Sequence, residues 1–231
     1  MASPASPAPA LERLSATRVR LAGRELVAFA GCDYLGLAHH PEIFAALQRE
    51  SARSGVSAGA SPTTTGRHPA HDELECALAD FLGVERVLLT ADGYLSNLVA
   101  AQALAPDVSR ALVDHESHVS VRDAVRAAGF AHAEYADLPA LRALLAGGAP
   151  SVIFTDGVFP SQRRRADVAE LVTLLDRGAR ALVVDDCHGL GVHGPEGRGT
   201  CAGLAHANLL VTGTLSKALG SAGGFVWGQA L

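Results

Sequence analysis

Lysine is all but missing from this sequence: of 19 Lys and Arg residues, Lys217 alone is lysine. Arginine carries the rest of the basic charge, so one primary amine flanked by Ser216, Ala218 and Gly220 is not explained by a general need for solubility. Positive charge is also in deficit, with 24 acidic residues, a formal net charge of −5 and a pI near 6.0. That balance argues against nucleic acid and anionic membrane surfaces as partners, since both need a basic face, and points to a small molecule. No stretch reaches the roughly 20 uninterrupted apolar residues of a membrane span. The opening MASPASPAPA has neither a basic start nor an apolar centre, so it reads as a disordered tail and not a secretory signal, and the chain reads as cytoplasmic. Cysteine is sparse, and Cys32, Cys76, Cys187 and Cys201 form no CxxC pair, so no metal site and no disulfide framework are expected.

What is present suffices for a sizeable core: 231 residues, 48% of them hydrophobic. From residue 86 onward, short β-rich runs alternate with amphipathic Ala/Leu-rich segments, the pattern of strands wound with helices. Strands are predicted at 86–90, 110–114, 132–135, 151–155, 180–185, 209–213 and 224–227. Helices are predicted near 41–53, 70–82, 95–104, 119–128, 138–146 and 167–177. The fold expected is a three-layer α/β/α domain on a seven-stranded, mostly parallel sheet.

Open sheets of this kind bind ligands at the carboxyl ends of their strands, so the residues after each strand carry the chemistry. After the first comes Ala91-Asp92-Gly93-Tyr94-Leu95-Ser96-Asn97, where a glycine opens a helix and leaves backbone N–H groups facing outward, a setting for phosphate or an ordinary turn. The fifth ends in Asp185-Asp186-Cys187-His188-Gly189, two carboxylates and an imidazole together. The sixth runs into Thr212-Gly213-Thr214-Leu215-Ser216-Lys217, a hydroxyl-rich turn that presents the lone lysine. An amine that loses its proton can attack a carbonyl, which a guanidinium does not do at neutral pH.

Together, TGTLSKALG, VVDDCHGLG, TDGVF, ADGYLSN and DYLGLAHHP make this sequence resemble the α-oxoamine synthase family of fold-type-I pyridoxal-phosphate enzymes, from about residue 24 onward. The resemblance implies that residues 1–23 are tail and N-terminal segment and that 24–231 form the cofactor-binding large domain. It also implies that Lys217 carries pyridoxal 5′-phosphate as a Schiff base and later moves the substrate's α-proton, with Asp185 paired to the pyridinium nitrogen. His188 is implied to bond the ring's phenolic oxygen, His118 to stack on the ring, and Gly93, Tyr94 and Thr214 to hold the phosphate. Asp156 stands near the cofactor where the family usually has Glu.

The implied reaction condenses a small amino acid, alanine or glycine, with an acyl-CoA thioester and decarboxylates it to an aminoketone, in a homodimer. Ala38-His39-His40-Pro41 favours alanine and a pimeloyl thioester, the biotin-pathway branch. Two other readings stay compatible with the motifs: a class I/II aminotransferase and a non-catalytic homologue. The sequence also departs from the family's pattern. Cys32 replaces an Asn, Pro160 a Ser, and Pro62 the usual Arg or Gly in the loop 58–66. Arg163-Arg164-Arg165 reads as a solvated surface run. The chain ends at Leu231, just past the last predicted strand, so the family's C-terminal small domain is expected to be missing.

Overall fold

The structure, a computed structural model, describes residues 10–229, so residues 1–9 of the expected tail lie outside it. Three short strands come first: β1 (Leu11–Arg13), β2 (Arg18–Leu21) and β3 (Arg24–Val27) form an antiparallel sheet. None of them is in the sequence reading, because they are only three or four residues long and mostly exposed, which leaves too short an apolar pattern to mark a strand. Ala22 and Gly23 both take positive φ (48° and 75°), the left-handed geometry of a tight hairpin turn. Helices α1 (Pro41–Ser54) and α2 (Pro69–Leu82) follow, each opened by a proline whose missing N–H costs nothing in a first turn.

The body then alternates as predicted: β4 (Val87–Thr90), α3 (Gly93–Leu104), β5 (Arg110–Asp114), α4 (Val119–Ala127), β6 (Ala131–Tyr135), α5 (Leu138–Leu145) and β7 (Ser151–Asp156). A two-residue-strand hairpin, β8 (Val158–Phe159) with β9 (Arg164–Arg165), leads to α6 (Val168–Thr173), then β10 (Ala179–Asp185), β11 (Leu209–Thr214) and β12 (Gly224–Gly228). The helix expected to 177 stops earlier as α6, with a 3₁₀ turn over 175–177 closed by Gly178 at φ 119°.

Seven strands form one sheet in the order β4-β12-β11-β10-β7-β5-β6, parallel throughout except for β12. Its two faces sort the strand residues by the two-residue pleat. Leu112, Ile153, Leu182, Val184, Leu209 and Val211 join one core with Leu78 and Leu82 of α2, Leu141 of α5 and Leu171 of α6. Ala111, Val113, Phe154, Ala181, Val183 and Leu210 join the other, with Ala100 and Ala101 of α3 and Val121 and Val125 of α4. Burial of each such Val, Leu or Phe contributes about 1.5–3 kcal/mol, which holds the strand ends in fixed register. No helix among the described residues is long and apolar enough to cross a membrane.

Candidate active site

At the carboxyl edge of the sheet, the ends of β4, β5, β7, β10 and β11 and the segments after them converge on one open cleft of about 290 Å³. α3 starts there because Asp92 caps it, its side chain accepting from Leu95 N at 2.8 Å. The two preceding donors, Gly93 N–H and Tyr94 N–H, have no acceptor among the described residues, and both residues line the cleft. A Cβ on Gly93 would stand 2.8 Å from Thr214 Cβ and 3.0 Å from Cys187 Sγ, so the helix start and the end of β11 approach more closely than any side chain permits. The Tyr94 hydroxyl donates to Asp123 of α4, which leaves the backbone of Tyr94 as its polar face on the cleft. At the end of β11, Thr214 Oγ1 accepts from Ser216 N at 3.2 Å and meets Ser216 Oγ at 2.8 Å, which sets a hydroxyl pair beside the free amides.

The adjacent carboxylates after β10 part company because the strand's pleat turns successive side chains opposite ways. Asp185 faces the cleft, its Oδ2 accepting from Asn97 Nδ2 at 2.7 Å and its Oδ1 from Cys187 N at 3.0 Å. Asp186 faces away and accepts from Thr200 N and Thr200 Oγ1, both at 2.7 Å. A Cβ on Gly189 or Gly199 would stand 1.9 or 2.1 Å from Asp186 oxygens, so this buried carboxyl organises the loop from 186 to 200. Burial pushes the Asp186 carboxyl up to about 7.

His118 caps α4, its Nδ1 taking Ser120 N at 3.2 Å and meeting Ser120 Oγ at 2.7 Å, while its ring lines the cleft. Its own N–H donates to Asp156 at 3.1 Å. Asp156 is buried at the end of β7, and burial together with the charge of Asp185 raises it to about 8. Asp156 therefore holds a proton at neutral pH, which spares the cleft a second negative charge beside Asp185.

Lys217 Nζ lies 2.8 Å from His188 Nε2, and His188 Nδ1 lies 2.7 Å from Tyr34 Oη. Burial and the positive charge of Lys217 lower His188 to about 4, so the imidazole is neutral at physiological pH.

All eight residues singled out in the sequence, Gly93, Tyr94, His118, Asp156, Asp185, His188, Thr214 and Lys217, line this one cleft. Sequence reasoning missed Asn97, Ser120, Ser216 and Tyr34. Asn97, Ser216 and Tyr34 stand inside motifs already noted and could have been raised by them, whereas Ser120 arrives only through folding. Arg164 also departs from expectation: it is not a free surface charge. Its Nη2 donates to both Asp114 oxygens at 2.9 Å, its Nε to Glu116 at 2.8 Å, and its guanidinium lies 3.7 Å from the centroid of the Phe159 ring. It thereby clamps the segment between β5 and His118.

The cleft fits a phosphorylated pyridine aldehyde: unclaimed amides and hydroxyls at one side, a buried carboxylate at another, and an amine at the strand turn. Comparison with known proteins agrees with this geometry. Residues 24–230 match the family described as aminotransferase class I and II. The chain is 41% identical over 220 residues to the 8-amino-7-oxononanoate synthase of Azoarcus sp. (strain BH72), spanning 93% of this chain and 56% of that protein. Against the 8-amino-7-oxononanoate synthase of Nitrosococcus oceani it is 42% identical over 229 residues, 95% of this chain and 60% of that one. The chain thus spans less than two thirds of the length of these relatives. Among solved structures, the serine palmitoyltransferase of Sphingomonas wittichii matches with a TM-score of 0.86 at 28% identity, over 95% of this chain and 57% of that one. A serine palmitoyltransferase from S. paucimobilis with bound PLP and myriocin matches with a TM-score of 0.85 at 27% identity, over 94% of this chain and 58% of that one.

Proposed function

This chain belongs to the aminotransferase class I and II family, and we propose that it binds pyridoxal 5′-phosphate and provides the catalytic cleft of an α-oxoamine synthase. The observation that carries the reading is the meeting of the sole lysine, Lys217, with Asp185, His188 and the free Gly93 and Tyr94 amides around one cleft. The amides and the hydroxyls of Thr214 and Ser216 would hold the phosphate, Asp185 the ring nitrogen, His118 the ring face, and Lys217 the aldehyde end. When bound, the cofactor supplies an electron sink for the carbanion formed at a substrate's α-carbon.

Each side chain then has a definite task. Asn97 and the Cys187 N–H keep the Asp185 carboxylate pointed into the cleft. Asp156 holds its proton and anchors the His118 backbone, so the wall that carries the imidazole is fixed. His188, being neutral, accepts from the Lys217 ammonium and orients it. With its amine free, Lys217 would serve as the base for the substrate's α-proton.

The acceptor for that carbon is an acyl-CoA thioester, and the amino acid is alanine, with pimeloyl as acyl group. Identity of about 40% to 8-amino-7-oxononanoate synthases over some nine tenths of the chain supports this choice. Residues 24–231 form the cofactor-binding domain, and the active form is a homodimer in the cytoplasm. Four unpaired thiols among the described residues support a reducing compartment.

Borohydride treatment of the protein mixed with pyridoxal 5′-phosphate tests the assignment. It should fix the cofactor to the single peptide containing Lys217, and K217A should take up none. A wild type without labelled peptide overturns the reading. Incubation with alanine and pimeloyl-CoA should release CoA, whereas pyruvate formation without CoA release would assign transamination instead.

A further inference from the structure

Arg164 has no task in the proposed function, yet it holds the turn that delivers His118. In the β8–β9 hairpin it stands opposite Phe159, its register partner, and its guanidinium lies 3.7 Å from the centroid of that ring. From there it reaches two acids of a different connection. Nη2 donates to both oxygens of Asp114, the last residue of β5, at 2.9 Å, and Nε donates to Glu116 Oε2 at 2.8 Å. Asp114 closes the turn on itself: its Oδ1 accepts from Glu116 N at 3.0 Å and its carbonyl from Ser117 N at 2.9 Å. His118 follows at once, with its N–H on Asp156 at 3.1 Å and its Nδ1 2.7 Å from Ser120 Oγ.

No other lysine or arginine pairs with Asp114 or Glu116 among the described residues, and the side chains of these acids are only 4% and 25% exposed. Removing the guanidinium would leave two acids in one tight turn with neither a cation nor full hydration, and the chain can relieve that only by opening the turn to water. Such an opening would move Glu116 and, two residues on, His118. A lysine would not restore the arrangement. Its ammonium is a point charge that can follow one acid or the other, whereas the planar guanidinium fork fixes both at once. Arg164, Asp114 and Glu116 all stand outside the lining of the cleft, so a cofactor that fills the cleft leaves their three bonds in place.

We infer that Arg164 is a positioning residue for the cofactor: through Asp114 and Glu116 it fixes the turn that presents the His118 ring to the pyridine ring. It touches neither cofactor nor substrate and acts only through the residue at 118. The inference rests on His118 covering the ring in the proposed function.

A double-mutant cycle tests this coupling. His118→Asn keeps a side-chain acceptor at the start of α4 and removes the ring, while Arg164→Lys keeps the charge and loses the fork. Each variant alone should raise the dissociation constant for pyridoxal 5′-phosphate by about three- to tenfold, because a stacked ring is lost or displaced, and should weaken the visible circular-dichroism band of the bound cofactor. Together they should cost no more than His118→Asn alone. Losses that add in full overturn the inference, because a clamp that only stabilises the fold is indifferent to the residue at 118. Glu116→Ala removes one arm of the clamp from a half-buried position and should show the same dependence on His118. An unchanged dissociation constant in that variant overturns the inference even where Arg164→Lys fails to fold. In the cofactor-free protein, the His118 amide should exchange with deuterium at least about tenfold faster in Arg164→Lys than in wild type, with the amides of β10 unchanged. Wild-type exchange at His118 overturns the clamp without any cofactor, whereas a wild type that binds no pyridoxal 5′-phosphate overturns the functional reading alone.

Discussion

Asn97 stands behind the cleft and ties three of its elements together. It is fully buried, its amide nitrogen donates to Asp185 Oδ2 at 2.7 Å and Ser120 Oγ at 3.0 Å, and its amide oxygen accepts from Thr212 Oγ1 at 2.7 Å. One side chain thus satisfies groups on β10, β11 and α4. Asn97→Ala leaves a buried carboxylate oxygen and a buried hydroxyl short of partners, so the urea unfolding midpoint should correspond to a loss of about 1–3 kcal/mol. Cofactor titration of the same variant should show weaker binding, because Asp185 is no longer held toward the cleft. A midpoint and an affinity both equal to wild type would remove Asn97 from the site. At this scale Lys217 was legible in the sequence because of its rarity and its hydroxyl-rich turn. Asn97 was visible as a letter in a motif but not as a hub, because its partners lie 23, 88 and 115 positions away.

The start of α3 is the element on which the phosphate reading depends. Its close approach to the end of β11 requires a residue without a Cβ at 93, since a methyl there would meet Thr214 Cβ at 2.8 Å. Gly93→Ala should therefore raise the dissociation constant for pyridoxal 5′-phosphate by at least about tenfold, ~1.4 kcal/mol, in a fluorescence titration, because the amides must shift from the hydroxyl pair. Unphosphorylated pyridoxal should lose much less, and equal losses for both ligands would mean that this helix end does not hold the phosphate. Strands β4 to β7 and their helices were legible because short, β-rich apolar runs are followed there by Ala/Leu-rich segments. The β8–β9 hairpin was not, because it is held by Arg164 bonding across to Asp114 and Glu116, a contact with no local signature.

For the molecule as a whole, buried titrating groups make stability depend on pH. Asp156 and Asp186 are raised to about 8 and about 7, so between the ordinary carboxylate range and those values the folded protein keeps protons that the unfolded chain has released. Stability therefore falls as pH rises through that window. His188, lowered to about 4, acts oppositely below its ordinary 6.5, because the unfolded chain there binds the extra proton. The histidine's share fades within about a pH unit above 6.5, so over pH 6.5 to 8 the carboxyls dominate. Urea unfolding of the cofactor-free protein should show a falling midpoint there, with a slope of at most about 1.4 kcal/mol per pH unit for each proton. Asp156→Asn should flatten it, and a wild-type profile flat over that interval would show that neither carboxyl is protonated in the fold.

The sequence alone determined the alternation of strands and helices and the motifs at the strand ends, because pleat period, helix period and turn chemistry are local properties written residue by residue. It also marked the lone amine and the acidic pair after β10. Only the tertiary structure decided which acid of that pair enters the cleft, since Asp185 and Asp186 differ by one step of the pleat and their neighbours come from distant elements. It likewise brought Tyr34 to His188 across 154 positions and turned Arg164 inward, because such contacts follow from how the N-terminal loop and the hairpin pack on the finished sheet.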